Sequence, residues 1–274
     1  MLPDALLIPD ALLNNAAILI VTVIALWAVS VRINDVSFID SFWGAGMGLL
    51  AVVSWLQVKP QAGPLATLIM AMTAAWGLRL GLYLLRRWRR EGEDQRYARI
   101  LKKDRAAGRF AFAALTKVWL GQAVLLMLVS SPAQVGVLAS GSSQAPVPPI
   151  ALAGLAVFLI GIFFEWVGDW QLSRFKGNPA NEGRILDTGL WRYTRHPNYF
   201  GDCAAWWGIW LCCAGAGWTY ALYTLPGPLF LTFTLTKWSG AALLEAGMKK
   251  KRGDKYADYI ARTSPFIPWP PKRV

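Results

Sequence analysis

The chain has 274 residues, 55% of them hydrophobic and only 16% charged, with 15 Trp and a formal charge of +12. A soluble domain of this length carries more charge and interrupts its apolar residues at helical period, so that class is excluded. The positive charge sits in a few gaps between apolar blocks, which argues for orientation and contact with anionic headgroups rather than for nucleic acid.

About 20 apolar residues cross a hydrocarbon core roughly 30 Å thick, and seven such blocks can be drawn: 12–31, 38–57, 64–85, 110–130, 148–168, 202–217 and 219–240. The first has no basic n-region before it and no convincing cleavage site after it, so it reads as a retained span rather than a signal peptide. Asp4 and Asp10 flank its start, and Arg32 lies in the first connection. Residues 86–109 hold ten Lys or Arg against four acids. The connection 131–147 is uncharged and rich in Ser, Gly and Pro, and reads as a loop. Residues 169–200 and the tail after Glu245 are basic again. If basic gaps face the cytoplasm, connections one, three and five share that side with the C-terminus, and the N-terminus lies outside. Lys59 is the exception. The expected fold class is all-α, a polytopic integral membrane protein of about seven transmembrane helices. Residues 1–109 form the first helices with a basic cytoplasmic segment, and 110–150 a fourth helix with an extracytoplasmic loop.

Soluble nucleotide signatures are absent, and Gly44, Gly46 and Gly48 lie inside an apolar span, where they favour close helix packing. Cys203, Cys212 and Cys213 fit no zinc spacing and read as small packed residues. His196 is the single histidine, so no metal site is expected. The polar insert 169–200 is too long for a plain connector. It gathers Arg174, Lys176, Arg192 and Arg195 with Asn178, Asn198, Tyr193 and Tyr199, a set suited to phosphates and oriented hydrogen bonds. A basic loop facing lipid headgroups has the same composition, and that alternative stays open. Asp169 and Asp202 fit it least, because each stands at the mouth of an apolar span, where an acid is costly.

The runs Gln171-x-x-Arg174-Phe175-Lys176-x-Asn178-Pro179 and Arg195-His196-Pro197-Asn198-Tyr199-x-Gly201-Asp202 resemble the C-terminal NADPH-binding region of the membrane sterol reductases. Gly189-Leu190-Trp191-x-Tyr193, Asn198-Tyr199-Phe200-Gly201-Asp202 and the tail Lys255-Tyr256-x-x-Tyr259 with Ser264-Pro265-Phe266-Ile267-Pro268 are similar to the steroid 5α-reductases over 151–274. The bacterial branch of that superfamily resembles it further, through Asp35-Val36-Ser37-x-x-Asp40-x-x-Trp43-Gly44 and Gly92-Glu93-Asp94-x-Arg96-Tyr97. The resemblance implies a bacterial inner-membrane enzyme whose cofactor site faces the cytoplasm, with 151–274 as the NADPH-binding region. It places cofactor contacts at Asp169, Arg174, Lys176, Asn178, Tyr193, Arg195, His196, Asn198, Tyr199, Asp202 and Tyr256.

The implied reaction is reduction of the C=C bond of a lipophilic enone, a 3-oxo-Δ4-steroid or, as variants, a trans-2-enoyl lipid or a sterol. Its partners would be that substrate and membrane lipids. Steroid 5α-reductases carry Gln-Glu at the end of the second span, whereas this chain has Gln57-Val58, so the group that polarises the carbonyl must lie elsewhere. Candidates are Asp35, Asp40, Tyr83, Glu91, Glu93, Asp94 and Tyr97, with Asp40, Glu91, Tyr97 and Asp202 taken as the catalytic set. A carboxyl set against a span can have its pKa raised by desolvation and donate a proton near neutrality. A membrane methyltransferase using S-adenosylmethionine is the alternative of another class. Isoprenylcysteine and phospholipid methyltransferases share Arg-His-Pro-x-Tyr-x-Gly, met by Arg195 to Gly201, and Glu245, Tyr256 and Tyr259 could match their remaining residues. A scaffold or transporter is disfavoured by the absence of an internal repeat.

Overall fold

The computed structural model describes residues 8–59, 61–238 and 240–272, and among them every regular element is helical. Five helical segments are long and apolar enough to cross a membrane: Ile8–Ile33, Ile39–Val58, Pro64–Glu91, Phe110–Val129 and Pro149–Lys176. Their apolar side chains supply the outer surface that lipid accepts, and their backbones satisfy themselves.

By chain contacts the protein divides into two compact units. The first comprises 1–149 and 212–227. In it, α1 (Ile8–Ile33), α2 (Ile39–Val58) and α3 (Pro64–Glu91) are followed by a short amphipathic α4 (Gln95–Ala106). The fourth span is α5 (Phe110–Ala114) and α6 (Leu120–Val129), joined by a π turn over Leu115–Trp119. The pairing of α2 with α3 is the tightest in this unit, and glycine is the reason. A Cβ on Gly77 would collide with the carbonyl oxygen of Gly44, and one on Gly44 would sit 3.0 Å from Leu80 Cβ. Small residues at such a seam let two backbones approach without a hydrophobic driving force.

The uncharged stretch read as a loop contains a helix, α7 (Ser131–Ser140), in which eight of ten residues are buried. Pro132 opens it, Gly141 at φ 47° closes it, and it packs on α2, α3 and α10 (Trp218–Thr224). Small, uncharged residues let it be buried, and length alone had disguised it, since ten residues cannot span. Gln134 on α7 accepts from Asn15 Nδ2 at 2.8 Å, and Asn15 also donates to Ser54 Oγ at 2.7 Å and accepts from Gln57 Nε2 at 2.8 Å. These amides tie α1, α2 and α7 together where water is scarce, so each has found a partner.

The second unit comprises 150–211 and 228–274. It holds α8 (Pro149–Lys176), most of α9 (Pro197–Ala216), α11 (Pro226–Phe233), α12 (Ala241–Arg252) and α13 (Asp254–Arg262). Gly161 and Gly201 form its close approach: a Cβ at Gly161 would meet Gly201 O at 2.6 Å and Ala205 Cα at 2.9 Å. Of the last two expected spans, 202–217 falls on the continuous helix α9 up to its end at Ala216, whereas 219–240 is divided among α10, α11 and a π turn over Thr234–Trp238. Pro226 explains the break, because it cannot donate to the preceding turn.

Candidate functional site

In the first unit, the turn between α1 and α2 and the turn between α3 and α4 build one charged cleft. Asn34 at φ 54° reverses the chain after α1. Asp35 Oδ1 then accepts from Ser37 N at 2.7 Å and Ser37 Oγ at 2.6 Å, while its Oδ2 accepts from Trp88 Nε1 at 2.8 Å. Gly92 at φ 74° ends α3, and Asp94 caps α4 by accepting from Arg96 N at 2.8 Å. Asp35 of the first motif and Gly92 and Asp94 of the second thus shape turns.

Asp40 opens α2 and receives two short bonds, from Tyr97 Oη at 2.7 Å and Arg96 Nη2 at 2.7 Å. Arg96 also reaches Asp94 at 3.0 Å, and Arg87 lies 3.5 Å from the same carboxylate. Tyr97 is buried. Burial, the Asp40 charge and the bond to Asp40 push its phenol well above the usual range, so it keeps its proton throughout the neutral region. Asp94 is opposed by burial, but the bonds from Arg96 and the charges of Arg96 and Arg87 prevail and lower its pKa. Glu91 is exposed at the end of α3 and pairs with Arg90 at 3.0 Å and Arg87 at 3.7 Å. Glu93 pairs with Arg105 at 2.7 Å. Tyr83 lies under Arg79, 5.1 Å from ring centre to guanidinium. A cleft of about 310 Å³ opens over Ser37, Asp40, Trp88, Glu91, Glu93 and Asp94. Of the expected catalytic residues, Asp40 and Tyr97 therefore bond directly, and Glu91 lines the cleft with Asp40.

In the second unit the two halves of the polar motif converge. Asp169 lies on α8 and is 4% exposed, and its Oδ1 accepts from Asn198 Nδ2 at 3.0 Å. Gly168 makes room, since a Cβ there would fall 3.1 Å from Asn198 N. Arg195 is also buried. Its guanidinium donates to Glu245 through Nε at 2.8 Å and Nη2 at 3.3 Å, and through Nη1 to Thr263 O at 2.8 Å. His196 Nε2 lies 3.0 Å from the same Glu245 carboxylate, and its ring stacks on Tyr199 with centroids 5.5 Å apart. Burial opposes ionisation of Glu245, but the bonds from His196 and Arg195 and the Arg195 charge hold its pKa down to about 2. Tyr256 is buried too; burial first, then the Glu245 charge, pushes its pKa up to about 12. The tail is fastened alongside: Arg195 N donates to Ser264 O at 3.0 Å, Trp269 N to Tyr193 O at 2.9 Å, and Tyr259 Oη to Trp191 O at 2.6 Å.

The expected anion cluster is divided by this arrangement. Arg174, Lys176, Arg192 and Tyr193 are exposed, Arg174 lying over the Trp170 ring, whereas Arg195 is turned into the interior. Asn178 uses its side chain to accept from Ala180 N at 3.0 Å and so caps a 3-10 turn over Pro179–Asn181. Asp202 lies half-buried in the second turn of α9. No group of three or more His, Cys, Asp or Glu suited to a metal ion occurs among the described residues.

The family of proteins of unknown function DUF1295 matches residues 26–263, a range that takes in Asp40, Tyr97, Asp169, Asn198 and Glu245. The chain belongs to the DUF1295 family. No curated protein and no solved structure matches it. One residue of this DUF1295 protein escapes a reading of motifs. Glu165 is 2% exposed and stands one helical turn before Asp169 within the apolar helix α8. An acid in mid-span was the available signal, since such residues face a bundle interior and carry function by default. Glu245 was named only through the resemblance to the methyltransferases. It lies in a basic, amphipathic stretch, and only folding shows that it joins Arg195 to His196.

Proposed function

We propose that this DUF1295 protein is an NADPH-dependent membrane oxidoreductase that reduces the C=C bond of a lipophilic enone. A 3-oxo-Δ4-steroid is the reference substrate, with trans-2-enoyl lipids and sterols as variants. The reading takes the chain as seven-spanning, with its N-terminus outside and its basic segments in the cytoplasm of a bacterial inner membrane. The observation that carries it is the Asp169–Asn198 bond, which joins a buried carboxylate to a half-buried amide from motifs 29 positions apart. A carboxylate and an amide held together against an apolar helix pair suit ribose and nicotinamide groups. The exposed cations Arg174, Lys176 and Arg192 suit phosphates, so the donor set fits a phosphorylated dinucleotide.

Bound NADPH would supply hydride for the β carbon of the enone. The chain's part is to polarise the carbonyl and to hold a proton, and the pair Tyr97 and Asp40 is built for it. Tyr97 carries a phenolic proton that burial keeps in place and that it donates to Asp40 at 2.7 Å, so the enone oxygen would take the place of Asp40 as its acceptor.

A methyltransferase using S-adenosylmethionine is the second reading, and one observation favours it: Glu245, which that resemblance names, is brought onto Arg195 and His196 of the Arg-His-Pro run. Titration of the purified protein with NADPH and with S-adenosylmethionine separates the two. The reductase reading expects NADPH to bind and Asn198→Ala to weaken it about tenfold, some 1.4 kcal/mol, with the helical content unchanged. Binding of S-adenosylmethionine alone, or unchanged NADPH affinity in Asn198→Ala, overturns it.

A further inference from the structure

Along the α2–α3 pair, directly beyond the charged cleft, lies an apolar groove of about 230 Å³ lined by Leu26, Phe42, Ala45, Leu78, Leu82 and Leu85, among others. Groove and cleft follow one another on the same two helices, meeting where the rings of Phe38 and Trp88 touch at 5.6 Å between centroids. From Leu78 to Glu91 their lining climbs roughly 20 Å of α3 at about 1.5 Å per residue. The cleft lies at the lower end of the range of about 300–1,000 Å³ usual for small-molecule sites, and the groove a little below it.

Ser41 stands in the wall of the groove. It is 8% exposed, and its Oγ has no hydrogen-bond partner among the described residues. The contrast with its neighbours is clear. Ser54, Thr73, Ser130 and Ser140, all buried in this unit, each donate to the carbonyl four residues earlier at 2.6–2.8 Å. That back-bond is the usual resort of a hydroxyl in an apolar helix, and leaving it unmade costs about 1–3 kcal/mol. A hydroxyl left without one just behind an otherwise apolar wall, its oxygen closed to water, points to an acceptor on a ligand that rotation about its Cα–Cβ bond would meet. The cleft adds a charge argument: Asp40, Glu91, Glu93 and Asp94 line it against Arg87 alone. Each acid is already held by an arginine, and Arg87 itself reaches Glu91 and Asp94, so a phosphate finds no unpaired cation in the lining and an added cation is not required.

We propose that the α2–α3 seam binds an uncharged acyl-chain amphiphile, with its chain in the groove, a carbonyl or ester oxygen at Ser41 Oγ and its polar end at Ser37 and Asp40. Resting on the reductase reading, this names the substrate class as a linear acyl enone rather than a phosphorylated lipid. The chain enters sideways from the bilayer.

The test uses the full chain in phosphatidylcholine nanodiscs and a monoacylglycerol with a photoreactive group on its chain. Labelling is expected on the α2 and α3 residues of the groove. A tenfold excess of plain monoacylglycerol should suppress it, and lysophosphatidate of the same chain length should not. Ala45→Trp and Leu82→Trp fill the groove from exposed positions and should each cut labelling at least fivefold, with Ser41→Ala cutting it severalfold. Labelling spread evenly over all spans, equal competition by lysophosphatidate, or full labelling in both Trp variants overturns the proposal. NADPH oxidation with an acyl enone is measured separately. Specific labelling without oxidation leaves the groove assigned and removes the reductase reading. Oxidation that persists in both Trp variants without labelling removes the groove and spares that reading.

Discussion

Replacing Glu245 by alanine should destabilise the second unit by about 3 kcal/mol. The carboxylate takes two bonds from Arg195, at 2.8 and 3.3 Å, and one from His196 at 3.0 Å. Bonds to charged groups contribute about 1.5–3 kcal/mol each, and stranding a buried charge costs about 3–5 kcal/mol. The low end applies because Arg195 keeps the Thr263 carbonyl at 2.8 Å, and Glu245 itself is 17% exposed. For a chain of this size 3 kcal/mol amounts to roughly 6–12 °C in Tm. Thermal unfolding in nanodiscs measures it, and Glu245→Gln, which keeps an acceptor, should lose less than half as much. The folded pKa of about 2 lies below the ordinary 4.5. Stabilisation by Glu245 is therefore complete above that ordinary value and is lost as pH falls through the folded one. The difference in Tm between wild type and Glu245→Ala should accordingly shrink on acidification. A Glu245→Ala protein that melts with the wild type at pH 7, or a difference that grows in acid, refutes the reasoning.

Asp40→Asn should lower enone turnover about a hundredfold, the scale of a lost proton-transfer partner, and leave NADPH affinity unchanged; equal loss of both would make Asp40 a structural residue. Asp94→Ala removes the cap of α4 and should cost about 1 kcal/mol, read as earlier urea unfolding of the segment 92–106. Because the Asp94 pKa is lowered, that difference should fade as pH drops below the ordinary carboxylate range. Gly77→Val drives a side chain into the Gly44 carbonyl and should destabilise the first unit by about 3 kcal/mol, whereas Gly121→Val, with open space at its Cβ, should melt like the wild type.

Much of the architecture was legible because the bilayer sets a length scale. Five of the expected apolar blocks are long helices, since only a self-satisfied backbone survives in hydrocarbon. Segments that escape the length criterion were less readable: α7 is ten residues long, and the stretch after Trp218 is broken at Pro226. The site divides in the same way. Asp40 and Asp169 stood out as acids against apolar helices, and both bond to other residues that the motifs named, Tyr97 and Asn198.

Sequence alone determined the class of the protein, its long apolar helices and which polar residues are out of place in them, because burying charge in a membrane is too costly to occur without a role. Tertiary structure decided the partners. Whether Arg195 faces solvent like Arg192 or an interior Glu245, and whether Ser41 bonds its own backbone or none of the described residues, depends on chain segments tens of residues away. Charge and hydroxyl chemistry are local, but the dielectric and the company they meet are properties of the fold.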